Sequence, residues 1–339
     1  MKTLVWGACG FMGRHLVHGL LRQGHEVAVL TFNRRRYVSP AWHARVSWYE
    51  LAGDTELDQA VIAAAIRNRD VIYSLAGASG AVASNRAPIQ SLDSICRAHL
   101  EFLEACVHFG SRPHIVFASS RLVYGNPNDL PVTEDAPLQP QSIYAANKIS
   151  VEHYLRVYAN REAITYAICR ITNPYGFEAE TNPKDYGFLN RLIRHGIEGR
   201  PLTLFGEGEQ LRDYVHVSDL VDGLMLAGTL PQAYNQTLNL GFGQGMRMVD
   251  AIQHIQRLNG SPIHREPWPE EFRIVESGSF VASIDKARVI LGYQPRISFE
   301  QGLALVTAQI GLVHTSQALW NEEARAARPA KALSATTCA

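Results

Sequence analysis

The sequence has few residues of the kinds that mark disulfide-stabilised, metal-binding or membrane-spanning proteins. Its 339 residues include five cysteines, an odd number with no Cys-x-x-Cys spacing, which argues against a disulfide framework and a zinc site. Reduced thiols favour a cytoplasmic location. The N-terminus enters an apolar strand at once and no apolar run reaches membrane-spanning length, so we expect neither a secretory signal nor a membrane partner. The 13 histidines show no ligand spacing, and no metal is assigned.

An excess of charge of one sign is also missing. Lys and Arg together number 32, as do Asp and Glu, so no overall field draws the chain to nucleic acid or to an anionic membrane. Hydrophobic residues make up 46%, enough for a sizeable core in one large or two smaller domains. Any recognition must therefore be local.

What is present in the first half is a regular alternation of short apolar runs and helical patterns. Strand-like runs occur at residues 3–8, 26–32, 70–77, 114–120 and 165–171, with helical patterns between them. This βαβ rhythm predicts an α/β fold with a doubly wound parallel sheet. From Asn173 onward the pattern becomes irregular, which indicates a second, smaller unit. The Ala-rich residues 315–339 are expected to form a tail that does not pack.

A glycine turn follows the first strand directly. The stretch GACGFMG places Gly7, Gly10 and Gly13 between that strand and a helix. Glycine there lets the backbone turn sharply and approach a pyrophosphate, which the helix N-terminus attracts. The turn therefore favours a dinucleotide over a purely structural role, although Trp6 is larger than expected before such a turn.

The end of the second strand lacks the carboxylate that usually binds the ribose of NAD. Asn33 and the arginines Arg34, Arg35 and Arg36 follow instead, and guanidiniums at this place would bind a 2′-phosphate. The prediction leans toward NADP over NAD, with a solvated charge run as the alternative. Asp54, in the stretch AGDTELD, follows another predicted strand that lies between the runs at 26–32 and 70–77, and there it either meets the adenine amine or caps the next helix.

Tyr144 and Lys148 belong to the stretch YAANK, and lysine is scarce, with five in the chain. Positions four apart share one helix face, so the ammonium would lie beside the phenol and lower its pKa by about one to three units. Ser119 and Ser120 end a strand at the carboxyl edge of the sheet, where α/β proteins bind ligands. A serine, a tyrosine and a lysine could thus surround one carbinol carbon.

With these elements in order, roughly Lys2 to Leu312 resembles the extended short-chain dehydrogenase/reductase family, and within it the nucleotide-sugar epimerases, dehydratases and reductases. The resemblance rests on seven stretches: GACGFMG, GD at 53–54, SLAG at 74–77, ASSRLVYG at 118–125, YAANK, RITNPYG at 170–176 and RDYVHVSD at 212–219. It implies a Rossmann-type domain at 1–172 and 213–236 and a nucleotide-sugar-binding domain at 173–212 and 237–314.

The resemblance also implies roles for individual residues. Ser120, Tyr144 and Lys148 look like the catalytic triad. Cofactor contacts are implied for Gly7, Gly10, Phe11, Met12, Gly13, Asn33, Arg34, Arg35, Asp54, Leu75, Ala76, Tyr144 and Lys148. Contacts to a nucleotide diphosphate-sugar are implied for Ser79, Ser119, Asn173, Arg212, Arg273 and Glu276, with plain surface charge as the alternative for the two arginines. A homodimer through helices near 91–109 and 145–158 is implied as well.

Two departures from the family pattern narrow the activity. Dehydratases carry an Asp-Glu pair after the catalytic hydroxyl residue, and similar decarboxylases carry a glutamate there, whereas this chain has Arg121 and Leu122. We therefore reject 4,6-dehydration. The helix after Leu92 also departs from the usual Asn-Val-x-Gly-Thr, with Ile95 to His99 in its place.

Three hypotheses remain. A 4-epimerase would oxidise the sugar transiently and reduce it again on a resident cofactor. A 4-ketoreductase would use NADPH once and release it. A non-catalytic dinucleotide-binding regulator would have a broken triad, and this triad is complete. The motifs favour the epimerase over the ketoreductase by a small margin.

Overall fold

The structure, a computed structural model, describes residues 1–32, 42–53, 55–78, 80–162, 164–177 and 187–310, apart from the side chains of 55–57. Its strands are β1 Lys2–Trp6, β2 Glu26–Thr31, β3 Ser47–Glu50, β4 Val71–Ser74, β5 His114–Ser120, β6 Thr165–Ile171, β7 Asn173–Tyr175, β8 Leu202–Phe205, β9 Leu211–Arg212, β10 Tyr214–His216, β11 Gln236–Leu240, β12 Met246–Arg247 and β13 Ile263–Glu266.

The helices lie between these strands and after them, and are numbered in chain order. They are α1 Phe11–Arg22, α2 Thr55–Ile66, α3 Ala81–Arg86, α4 Pro88–Leu92, α5 Ala98–His108, α6 Ile143–Glu162, α7 Gly187–Ile197, α8 Val217–Thr229, α9 Met248–Gln256, α10 Glu270–Arg273 and α11 Asp285–Leu291. Residues 299–310 are also helical. No helix in the described ranges is long and apolar enough to cross a membrane.

Seven parallel strands form the central sheet, in the order β3-β2-β1-β4-β5-β6-β11. The strand order reverses between β1 and β4, which is the switch point where sheets of this kind bind ligands. The doubly wound parallel sheet predicted from the sequence is therefore confirmed. The sheet includes β11. Four residues of this strand, 237–240, belong to the range 237–314 that the sequence analysis assigned to the nucleotide-sugar-binding domain.

Alternation along the strands explains how the sheet is covered on both faces. Successive side chains of a strand point to opposite faces. On β1, Leu4 and Trp6 join one core cluster, which α2, α5 and α6 complete. Val5 joins the other cluster, which α1 and α8 complete. Both faces are buried, as a parallel sheet requires.

A third core cluster lies in the part of the chain that the sequence left irregular. Leu189 and Ile193 of α7, Leu202 of β8, Ile252 of α9 and Leu303 of the last helical segment pack together there. Its strands are two to four residues long. These short elements bring chain segments from 187–310 to the carboxyl edge of the large sheet, above the glycine turn.

Candidate active site

A cavity of about 750 Å³ opens at the carboxyl edge of the central sheet. Its wall includes the glycine turn, the end of β5, the start of α6 and residues from the third core region. This volume is in the range of small-molecule and cofactor sites. The cavity therefore contains most of the described residues that the sequence had put forward.

The two serines that end β5 have different environments. Ser120 borders the cavity and is the N-cap of the 3₁₀ turn Arg121–Tyr124. Its Oγ accepts a hydrogen bond of 3.2 Å from the backbone N–H of Leu122. The hydroxyl of Ser119 instead donates to Glu152 Oε1 over 2.6 Å. Ser119 also borders the cavity, but a substrate contact by its hydroxyl would have to compete with this buried bond.

Tyr144 and Lys148 lie on one face of α6, as their spacing predicts. Lys148 Nζ is 5.7 Å from the centroid of the Tyr144 ring and 4.6 Å from that of Phe117. The same ammonium donates to the backbone carbonyl of Ala118 over 2.8 Å, which fixes it below the end of β5. Both side chains border the cavity with Ser120. The three predicted catalytic groups thus share one wall.

The environment of Lys148 is unusual for an amine. Its side chain is 4% exposed, and burial lowers its pKa to about 8, against the opposing effects of Glu152 and Cys96. The ammonium is therefore still mainly protonated at pH 7, and a positive charge stands beside the Tyr144 ring. It loses that charge within one to two pH units above neutrality.

Glu152 was not singled out from the sequence, although it follows Lys148 by one helical turn. It is fully buried and accepts from Arg170 Nη2 at 2.7 Å and Nε at 3.1 Å. Arg156 and Ser119 donate to the same carboxylate. Because Ser119 lies on β5 and Arg170 on β6, these bonds to Glu152 hold α6 against the central sheet. The spacing Lys-x-x-x-Glu and the arginine of RITNPYG were the available signals.

The glycine turn has the geometry of a dinucleotide site. Gly7 has φ +90°, and a Cβ on it would lie 2.9 Å from the backbone N of Ala76. A Cβ on Gly13 would overlap the carbonyl oxygen of Gly7 and lie 2.8 Å from Ala8 Cα. Side chains are thus excluded where the turn packs against α1 and β4. The first turn of α1 carries no acidic residue, which leaves its N-terminus favourable for an anion.

The residues around this turn fit a bound dinucleotide. The predicted contacts Gly7, Gly10, Phe11, Met12, Gly13, Leu75, Tyr144 and Lys148 all line the cavity. Ala76 meets the turn through its backbone beside Gly7. Asn33, Arg34, Arg35, Arg36 and Asp54 lie outside the described residues, as does Ser79.

The substrate side of the cavity has paired charges. Arg212 is 4% exposed, donates to the carbonyl oxygens of Gly278 at 2.5 Å and Leu211 at 3.0 Å, and forms an ion pair with Glu276. Both Arg212 and Glu276 line the cavity, as does Asn173. The buried Oδ1 of Asn173 has no hydrogen-bond partner in the described part of the chain, so an acceptor is available there.

Arg273 does not border the cavity. Its side chain is 65% exposed and pairs with Glu270 one turn earlier on α10. The structure thus favours, for this residue, the surface charge that the sequence had left as the alternative. Among the described residues, no group of three or more His, Cys, Asp or Glu is arranged to hold a metal ion.

Two features of the cavity were missed by sequence reasoning. Four aromatic rings line one part of it: Phe188, Phe205, Trp268 and Phe272. Phe205 is the centre of this group, 5.4 Å from Trp268 and 5.9 Å from Phe272 between ring centroids. Arg121, considered in the sequence as a departure from the dehydratase pattern, also lines the cavity. The rings are scattered over 85 residues, and no local pattern joins them.

Comparison with known proteins gives the family. A model of the NAD dependent epimerase/dehydratase family matches residues 3–241. The chain belongs to this family. The match runs from β1 to the end of the central sheet and includes the glycine turn, Ser120, Tyr144 and Lys148. The resemblance drawn from the sequence is thereby confirmed.

Members of the family with similar sequences have more than one activity. A UDP-glucose 4-epimerase of Lactobacillus helveticus is 28% identical over 87% of this chain and 92% of its own length. UDP-glucuronic acid decarboxylase 1 of Danio rerio is also 28% identical, over 89% of this chain and 71% of its own. The UDP-glucuronic acid 4-epimerase of Bacillus cereus, solved with UDP-glucuronic acid and NAD, is 25% identical with a TM-score of 0.78, over 92% of this chain and all of its own.

Proposed function

We propose that this protein is a nucleotide-sugar epimerase that inverts the configuration at C4 of the sugar. The observation that carries the proposal is the meeting of three groups in one cavity: the glycine turn, the Ser120–Tyr144–Lys148 wall, and the Arg212–Glu276 pair. The epimerases among its relatives support the same choice. The proposed homodimer follows from the family resemblance and the proposed cytoplasmic location from the cysteine pattern, and both remain predictions.

The roles of the catalytic side chains follow from their positions. Tyr144 is the group that takes the proton from the C4 hydroxyl and later returns it. Lys148, held on Ala118 O, keeps a positive charge beside that phenol. Ser120 holds the C4 oxygen while the proton moves. Buried Glu152 joins α6, and with it Tyr144 and Lys148, to β6 through Arg170 and to β5 through Ser119.

The proposed cofactor is NAD, held at the glycine turn and the N-terminus of α1. When bound, it would take the hydride from C4 and give it back to either face of the ring. The preference for NADP predicted from the sequence depends on Arg34 to Arg36, which lie outside the described residues. The relatives give it no support, and it stays a prediction.

The proposed substrate is a UDP-sugar. Arg212 has the charge and the burial to bind the diphosphate, after release from Glu276, whose carboxylate would then accept from a ribose hydroxyl. Asn173 offers its unpartnered oxygen nearby. The apolar rings around Phe205 suit a nucleobase, because every base has a face that stacks. We propose the corresponding division of the chain into a cofactor domain and a nucleotide-sugar domain.

The test is to incubate the protein with UDP-glucose, or with UDP-glucuronic acid, deuterated at C4, and with NAD at a hundredth of the substrate concentration. We expect an equilibrium mixture of the C4 epimers that keeps the deuterium at C4, with no net consumption of NAD. Tyr144→Phe should abolish conversion, whereas Tyr154→Phe, elsewhere on α6, should retain it. Formation of a UDP-pentose with CO₂, or turnover only of a 4-keto sugar with NADPH, would instead establish decarboxylation or reduction.

A further inference from the structure

Arg121 is a buried cation that the proposed chemistry does not use. It follows Ser120 directly, is 8% exposed, and lines the cavity. One of its nitrogens, Nη1, donates to Ser277 Oγ over 2.7 Å, and its guanidinium carbon lies 5.4 Å from the centroid of the Phe280 ring. In the described part of the chain it makes no other hydrogen bond and no ion pair, so most of its five N–H donors have no protein partner.

The charges around Arg121 do not neutralise it. The nearby carboxylate of Glu276 is already paired with Arg212, and the positive charge of Arg212 faces Arg121 across the same region. Burial, and to a lesser degree the neighbouring Arg212, lower the pKa of Arg121 to about 9, against the opposing effects of Glu276, Tyr214 and Asp213. A buried charge without a counterion is costly, and a ligand that carries an anion removes that cost.

The position of Arg121 in the chain indicates which anion this is. Its Cα is one peptide unit, about 3.8 Å, from that of Ser120, which under the proposed function holds the oxygen on the reacting carbon. The diphosphate already has a buried guanidinium in Arg212. A carboxylate on the ring carbon next to C4 would reach Arg121, and a planar guanidinium binds a carboxylate through two parallel hydrogen bonds.

We propose that Arg121 is a specificity-determining residue that binds a carboxylate on the sugar, so that the preferred substrates are nucleotide-linked uronic acids. This inference deepens the proposed function and rests on its assignment of the site. Ser277 positions the guanidinium, and Phe280 supports it from one side. The neighbouring Leu122 offers no competing polar group.

The test measures binding, by calorimetry in the presence of NAD, of UDP-glucuronic acid, UDP-glucose and UDP. Wild-type protein is expected to bind UDP-glucuronic acid about ten to a hundred times more tightly than UDP-glucose. Arg121→Met should remove this preference and leave the affinities for UDP-glucose and UDP within threefold. Arg121→Lys should restore part of it, because the charge returns without the bidentate geometry.

Two outcomes would overturn the inference. Equal binding of the two sugars by the wild-type protein would do so without any variant, whatever the folding of Arg121→Met. If Arg121→Met weakens the binding of UDP and of both UDP-sugars to the same extent, Arg121 binds the diphosphate instead. A preference for UDP-glucuronic acid without formation of a C4 epimer would support the inference about Arg121 and refute the proposed epimerase function. Epimerisation of UDP-glucose with no binding preference would refute the inference and support the proposed function.

Discussion

Lys148 shows how much one buried side chain determines in this protein. Its ammonium donates to the backbone carbonyl of Ala118 and lies on the same helix face as the phenol of Tyr144. Burial disfavours the charge, while Glu152 one turn later favours it. The cation is therefore available near neutral pH but is not deeply stabilised, which suits a group that must influence a proton transfer.

Replacing Lys148 with methionine should separate catalysis from stability. We expect kcat for epimerisation to fall by about a hundredfold or more, because the charge beside Tyr144 is lost. The free energy of unfolding should change by less than about 2 kcal/mol, since the lost bond to Ala118 O is offset by the removal of a buried cation. Kinetic assays and urea unfolding measure the two effects.

Lys286→Met on α11 is the matched control for this substitution. Its amine lies outside the cavity lining, so both kcat and stability should stay close to the wild-type values. A Lys148→Met protein with kcat within tenfold of wild type would show that the ammonium has no catalytic role.

At the scale of single elements, β5 is tied to α8 by a neutral imidazole. His114, 3% exposed, donates through Nε2 to the carbonyl oxygen of Ala227 at 2.9 Å and accepts at Nδ1 from the hydroxyl of Thr165 at 3.0 Å. Burial lowers its pKa to about 4, although the bond to Ala227 acts in the opposite direction. The strand that carries Ser120 is thus anchored by a group that must remain uncharged.

This anchor makes stability depend on pH. Between pH about 6.5 and 4 the unfolded chain binds a proton at His114 that the folded protein does not, so stability falls as the pH falls through this window. Glutamine in His114→Gln still donates to Ala227 but does not titrate. The free energy of unfolding of this variant should therefore fall by about 2 kcal/mol less than that of wild type between pH 7 and pH 5. Urea unfolding at the two pH values measures the difference.

The control for this prediction is His153→Gln, at an exposed position on α6. It should follow the wild-type pH dependence. A His114→Gln protein that loses as much stability as wild type on acidification would show that His114 is not the titrating group.

Several elements could be predicted from the sequence, and the reasons are physical. The β-branched runs and the glycine turn are local signals, so β1, β2, β4, β5, β6 and the turn between β1 and α1 followed from them. Trp6 before the turn had no such explanation. The structure supplies one from a distant segment, since its ring stacks on Phe102 and lies 4.7 Å from His99, which also bonds to Ser74. The large residue before the turn and the unusual helix after Leu92 are therefore two parts of one packing arrangement.

The substrate side was less predictable because its elements are short and its contacts are distant. Strands of two to four residues have no period to detect. The burial of Arg121 results from Ser277 and Phe280, which are more than 150 residues away in the sequence. The exposed position of Arg273 on α10 was equally invisible in the family resemblance that suggested it.

On the scale of the whole molecule, helices near 91–109 and 145–158 are the predicted dimer interface. Exposed apolar side chains lie on or beside them: Ile89, Leu92, Phe109 and Val157. Val157→Asp is expected to shift the protein from dimer to monomer in sedimentation velocity, because a charge would have to be desolvated in the interface.

Val289→Asp, an equally simple change at an exposed valine of α11, lies outside the predicted interface and should leave the dimer intact. A wild-type protein that sediments as a monomer, or a Val289→Asp protein that dissociates as readily, would contradict this arrangement.

The last strand of the central sheet comes late in the chain. β11 pairs with β6 but is separated from it by α7, four short strands and α8. Until residue 240 has been synthesised, the backbone groups along one side of β6 have no partner, and an unpaired strand edge is a template for association with other chains. A nascent or prematurely ended chain is therefore most prone to aggregation at β6, and protection by a chaperone would matter most before the final strand is made.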